Sequence, residues 1–398
     1  MLLSSWLKRI SDRIRSRRYQ PDRKPKKPDR FTQLGLTRLE DRVVLSVSTN
    51  FVFTANLLQI DVDQEDVSIS TDGSNLSITG SVSGPVATFA AGSIGRIEVN
   101  DSDPGTGTEG VDFTTSNGTG LALNKGLFVS PNIENAAINT DISDIPVSRA
   151  VDIGSASLQL NADVTTVRGD ILFAGNVTIG EGLNLTLSTD TGAGAIQIGG
   201  SLNGTAGNAA EALTLTAGSG NIVLNSVGAA GTDDLEMLTV TSVGDAQFNG
   251  AIDLNSALSI VANSATLSDV TTVGTIDVTA DSGSITVQGV LDTTASASSI
   301  NLTASAGVVL DGAGAGVSTG GGMLTVDADS NSDNTGSFIQ NDAGSSVSAG
   351  AGPISITAAD ATITGSISGT GSLTFLPSTA ARSIGLGGGA GSFNLSDG

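Results

Sequence analysis

From Leu213 onward the chain repeats a five-residue phrase in which apolar residues alternate with Thr, Ser, Asn or Asp. "LTLTA" at Leu213 returns as "LTVTS" at Leu238, "LSIVA" at Leu258, "IDVTA" at Ile276, "INLTA" at Ile300, "LTVDA" at Leu324, "ISITA" at Ile354 and "LTFLP" at Leu373. Weaker copies are "LQLNA" at Leu158 and "LTLST" at Leu185. A period of two predicts strands with one buried face. Successive starts from Leu213 lie 25, 20, 18, 24, 24, 30 and 19 residues apart, which is the spacing of solenoid coils. Most phrases are followed, after a Gly turn, by a second alternating run: "GNIVLN" at Gly220, "GDAQFNG" at Gly244, "GSITVQG" at Gly283, "GVVLDG" at Gly307, "GSFIQN" at Gly336 and "ATITGSIS" at Ala361. The predicted unit therefore reads strand, tight turn, strand, loop. No helical pattern lies between the strands, so a βαβ architecture is excluded.

Short strands of one unit stacked on the matching strands of the next build a parallel β-helix. The predicted fold is thus an all-β solenoid over residues 150–398, with Ile285, Val287, Ile300 and Leu302 inward and Thr286 and Asn301 outward. A row of β-sandwich modules also has many short strands, but sandwiches repeat near ~100 residues, usually around an aromatic anchor. Aromatics make up 3% of this chain and Met 3 residues, so the expected core is Val, Ile, Leu and Ala, which suit a narrow lumen. Residues 47–149 contain at least three more alternating runs. They read either as the irregular first coils or as a β cap that keeps open strands from pairing end to end.

Charge separates a leader from this body. Residues 1–50 hold 13 Lys and Arg against 5 Asp and Glu, a net +8, whereas the rest holds 5 against 35, a net −30. Within residues 1–18, Leu3, Leu7, Ile10 and Ile14 fall on one side of a predicted helix, with Lys8, Arg9 and Arg13 among the cations around it. Pro21, Pro25 and Pro28 then break the helix. The leader is either a targeting segment that touches a membrane or an export machine, or a basic nucleic-acid-binding or disordered arm. It has no unbroken apolar run of the kind a standard secretory signal needs.

The stretch "LEDRVVLS", with Leu39, Glu40, Arg42 and Leu45 behind an Arg-rich segment, resembles the N-terminal L-E-x-R-x-L-L motif of large exported planctomycete proteins, with Val44 where that family prefers Leu. The downstream phrases, such as "LTVTSVGDAQFNG", resemble the β-strand repeats of giant bacterial surface proteins and filamentous-haemagglutinin-like adhesins. Together the resemblances imply export and surface display, with residues 1–46 as an address label and membrane contact through the leader alone.

Function classes narrow by elimination. His and Cys are both absent, which removes Ser-His-Asp triads, imidazole metal sites, thiolates and disulfides. Some parallel β-helices cut acidic polysaccharides, but that chemistry needs clustered carboxylates with a cation or basic residue. After Arg149 only Arg168 and Arg382 carry positive charge. A calcium-binding extracellular repeat is the other alternative. "DADSNSDN" puts Asp327, Asp329, Asn331 and Asp333 at the alternate spacing of a calcium loop, yet Ser332 stands where the loop needs Gly and Phe338 where it needs Glu. The expectation is a non-enzymatic, secreted or surface-displayed, acidic structural or adhesive rod without a cofactor. Its partners would be surface polysaccharide or other extracellular proteins, met by outward Thr, Ser, Asn and Asp. Nucleic acid is disfavoured because the body repels phosphate. "ARSIGLGGGAGSFNLSDG" ends without a polar cap, so self-association through the C-terminal coil is expected.

Overall fold

The computed structural model describes residues 46–52, 55–101, 108–146, 150–205, 210–228, 234–386, 389 and 391–397. The leader and the motif residues Leu39, Glu40, Arg42 and Leu45 lie outside the described residues. Within them the chain is a β-solenoid of short strands in parallel register, with one 3-10 turn at Ala91–Ser93.

Each full coil carries three strands, one more than the sequence unit predicts. In one coil these are Ile285–Val287, Val290–Asp292 and Ile300–Ala304; they pair in parallel with Gly307–Leu310, Gly316–Ser318 and Leu324–Asp327 of the next. The strands thus form three columns, taken here in chain order. The phrase beginning "LTLTA" is the third column and the run after the Gly turn is the first. The second was hidden because its strands are short: Val290–Asp292 buries one aliphatic side chain, Leu291. The "LQLNA" copy at Leu158 is also reassigned. Its strand Ser157–Leu160 pairs with Asn135–Ile138 and Asn176–Ile179 and belongs to the second column.

Inward residues form ladders along the axis. Ile171, Ile196, Ile222, Ala246, Ala265 and Ile285 follow one another in the first column. Leu215, Val240, Ile260, Val278, Leu302 and Val326 do so in the third. All are buried, and each Val, Leu or Ile side chain taken out of water contributes roughly 1.5–3 kcal/mol. Ile285, Val287, Ile300 and Leu302 are all buried, while Thr286 and Asn301 face outward as the alternation predicts. The aliphatic-only core needs correction, because Phe113, Phe173, Phe248, Phe338 and Phe393 are all fully buried. Room comes from small neighbours: Phe338 stacks between Val308 and Ala361.

Turns are stitched by backbone proximity and by Asp and Asn. A Cβ added to Gly220 would collide with the Gly194 carbonyl of the coil beneath, so close stacking there requires glycine. Elsewhere a carboxylate or amide oxygen accepts a backbone N–H from the next coil: Asp163 from Thr186 at 2.8 Å, Asp170 from Ala195 at 2.8 Å, Asn221 from Asp245 at 3.0 Å and Asp269 from Val290 at 2.8 Å. Many of the scattered acids therefore extend the ladder beyond the strand ends and satisfy donors that would otherwise be unpaired.

The first and second columns begin at Leu57–Asp63 and Val67–Thr71, well before residue 150. Their free edges are covered by antiparallel strands: Ser46–Val52 on the first, and Asn75–Gly80 followed by Gly84–Ala90 on the second.

Candidate functional site

A groove of about 570 Å³ opens on the outer side of the second column near this covered end. Register explains its shape. Thr79, Ser68, Asp112, Ala137 and Gln159 form one outward row, one residue per strand across five neighbouring strands. Beside it, at the strand starts, Gly110, Asn135 and Ser157 align as a second row. Gly110 and Ala137 lie on the central strands and leave the depression. A Cβ at Gly110 would sit 2.7 Å from Asp66 Oδ1, so glycine both opens the groove and admits that carboxylate.

The polar groups are held in place. Asn139 Nδ2 donates to Asp112 Oδ1 at 2.5 Å, the Asn161 amide donates to Asn139 Oδ1, and Gln159 Nε2 donates to Asn161 Oδ1 at 3.1 Å. This relay fixes the Asp112 carboxylate and holds the Gln159 amide nitrogen. Ser81 Oγ accepts from the Asp66 backbone N–H at 3.1 Å. The groove thus has a largely apolar floor with amides, hydroxyls and two carboxylates set into it, and no Lys or Arg among its lining residues.

Three glutamates are buried, Glu65 and Glu109 next in sequence to the groove residues Asp66 and Gly110, and Glu211 in a later coil. Burial works to raise the Glu65 pKa, but the backbone N–H groups of Ser83 and Val82, donating at 2.9 and 2.7 Å, outweigh it and hold the carboxyl below its ordinary value. Glu109 is pushed up, first by burial and then by the Asp101 charge, which outweigh the N–H of Gln64 at 3.2 Å and its own backbone N–H. In Glu211 burial is again opposed and outweighed, here by Thr205 Oγ1 and the N–H groups of Gly182 and Ala210. Each closes a turn or loop start, which is a structural use.

The calcium-loop residues are spread over different environments. Asp327 lies on the outward side of its strand, its pKa raised chiefly by burial. Asp329 is buried and accepts from the Asn334 N–H at 3.0 Å and from the Ser378 hydroxyl. Asn331 and Asp333 are exposed and bond to each other at 3.0 Å. Among the described residues no three acidic side chains gather as a metal site. The sequence did not bring the groove residues Asp66, Asp112, Asn135 and Gln159 together. Their partners on adjacent strands are irregularly spaced, with Ser68 and Asp112 44 residues apart but Ala137 and Gln159 only 22. The usable signal was one outward polar residue per alternating run.

Comparisons with protein-family models, with curated proteins and with solved structures found no match to this chain.

Proposed function

We propose that the protein is a non-catalytic, exported and surface-displayed rod that spaces or adheres. The observation that carries this reading is the parallel register that the columns keep from coil to coil, with local shifts as between Ile142 and Ile145, which lines the outside with rows of polar side chains. Thr214, Thr239, Ser259, Asp277, Asn301 and Thr325 succeed one another along the third column, tied at one step by Asn301 Nδ2 donating to Asp277 Oδ1 at 2.5 Å. Repeated, shallow and acidic, such a surface suits multivalent contact with an extended partner better than turnover of a small substrate. The basic leader and the residues Leu39, Glu40, Arg42 and Leu45 support export, and the strand repeats support display. No helix of the described residues is long and apolar enough to cross a membrane.

The test is to express a tagged full chain and one lacking residues 1–46 and to treat intact cells with protease. The full chain should be cleaved from outside, and the truncated chain should stay protected inside while keeping its β circular-dichroism spectrum. A full chain protected on intact cells would sink the export reading.

A further inference from the structure

We propose that the groove on the second column binds a linear glycan bearing protonated amino groups, laid along the solenoid axis. This gives the adhesive reading a ligand and rests on that reading for its biological setting.

Shape argues for a chain. The groove crosses five strands, which at ~4.8 Å per strand makes it roughly 19 Å long. Its volume of about 570 Å³ lies within the range of ligand pockets, about 300–1,000 Å³. One row runs its length and a shorter one of three residues lies beside it, so that between them every strand offers a polar side chain and a repeating ligand finds a succession of partners. The low centre at Gly110 and Ala137 lets a backbone as thick as a sugar ring settle against the sheet.

Chemistry argues for hydroxyl and ammonium donors. Asp66 and Asp112 supply carboxylates, Asn135 and Gln159 supply amide carbonyls, and Ser81 and Ser157 supply hydroxyls. With no cation on the lining, a sulfated, phosphorylated or uronic polymer would bring charge against charge. With no aromatic ring there, a nucleobase would lose the stacking that single-strand binders use. An amino sugar reverses the first problem, because its ammonium group meets a charge-assisted acceptor, and the −30 body steers it inward.

Titration calorimetry on the full chain tests this with four probes: a glucosamine hexamer, cellohexaose as its uncharged counterpart, hexagalacturonate as its anionic counterpart, and pentalysine. The glucosamine hexamer should bind at one site, at least tenfold tighter than cellohexaose. Ala137→Phe, which fills the groove from an outward position, and Asp112→Asn, which keeps the acceptor for Asn139, should each weaken it tenfold or more. Asp277→Asn on the third column should leave it unchanged. Should Ala137→Phe disturb the circular-dichroism spectrum, exposed Asp66→Asn replaces it with the same expected direction. Hexagalacturonate should give no heat that Ala137→Phe removes. The proposal is overturned if cellohexaose binds as tightly, if pentalysine matches the glucosamine hexamer and neither responds to the groove variants, or if no probe gives heat. None of these outcomes bears on where the chain is displayed, so the groove and the surface reading can fail separately.

Discussion

At the N-terminal end, the first strands of two columns, Leu57–Asp63 and Val67–Thr71, are each covered by an antiparallel neighbour. At the opposite end, Leu373–Pro377 pairs with Ile354–Ala358 on one side and with no further strand of its column among the described residues. The side chains follow the backbone. Leu58, Ile60, Val62, Leu76 and Ile78 are buried, whereas Leu373, Ile384 and Leu386, in register with inward residues, are 49%, 52% and 67% exposed. Alternation therefore makes a strand in both places, but burial depends on a neighbour on each side. Reversing chain direction supplies that neighbour locally: a hairpin covers an edge within a few residues, while a parallel stack must complete a whole coil.

The largest way to break this contrast is a charge at matched inward positions. Ile60→Asp would place an unpaired carboxylate among fully buried neighbours and should cost upward of about 3 kcal/mol. Leu373→Asp, already half exposed, should stay within about 1 kcal/mol. Repeat stacks need not unfold in one step, so hydrogen exchange resolved by strand is the measurement. Equal losses of protection at the two ends would mean that the antiparallel cover contributes nothing.

Next in size is the clip that holds the cover. Glu65→Ala leaves the Val82 and Ser83 N–H groups without their acceptor and should cost about 1–3 kcal/mol. Glu65→Gln keeps one acceptor oxygen and should cost less. Ser392→Ala at the other end removes an exposed bond to the Ser383 N–H and should cost no more than about 0.5 kcal/mol. Limited proteolysis between Gly80 and Gly84 reads the first pair, because a freed turn becomes a cleavage site; an unchanged cleavage rate in Glu65→Ala would remove the clip from the account.

Glu65 also shows what the sequence could and could not disclose. Period-2 alternation made the strands, their inward faces and the parallel stacking legible, since burial on one face demands it at every position. The second column was not legible, because three residues with one aliphatic look like a loop. Nor was the clip, because "QED" at residues 64–66 reads as a solvated turn until the partner turn at Val82 is folded against it. The groove was hidden for a related reason: its members are neighbours through coil stacking, and coil length varies.

Acid should act unequally on the two ends. A carboxyl whose folded pKa lies below its unfolded value contributes stability above that unfolded value and loses it as pH falls through the folded one. Glu65 is of this kind, with an ordinary value of 4.5. Glu109 is the opposite: its raised pKa means that ionisation burdens the fold, and acid relieves it. Exchange protection of Asn75–Gly80 should therefore fall below about pH 4.5 in the wild type and fall less in Glu65→Gln. Glu109→Gln should raise protection near neutral pH. At the C-terminal end, protection of Leu373–Pro377 should not follow Glu65→Gln at any pH, and a parallel change there would show that the ends are coupled.

The smallest effect concerns what the exposed end does in solution. Leu373, Leu376, Ile384 and Leu386 present apolar surface beside a strand edge that no strand among the described residues covers, a template for another strand. At the N-terminal end the outermost strand of the first column, Ser46–Val52, runs antiparallel to the strands stacked on it, so head-to-tail growth in parallel register is disfavoured there and two copies of this chain should meet tail to tail. A two-fold contact of this kind closes on itself and stops at the dimer. Light scattering at tens of micromolar should accordingly give a dimer, and each of Leu373→Ser, Leu376→Ser and Leu386→Ser should weaken it severalfold, about 1 kcal/mol apiece. Open-ended filaments would mean that the N-terminal cover can be displaced and that the ends differ less than their pairing suggests. A monomer at that concentration, unaffected by the serine substitutions, would mean that a half-exposed apolar row does not by itself draw a second copy.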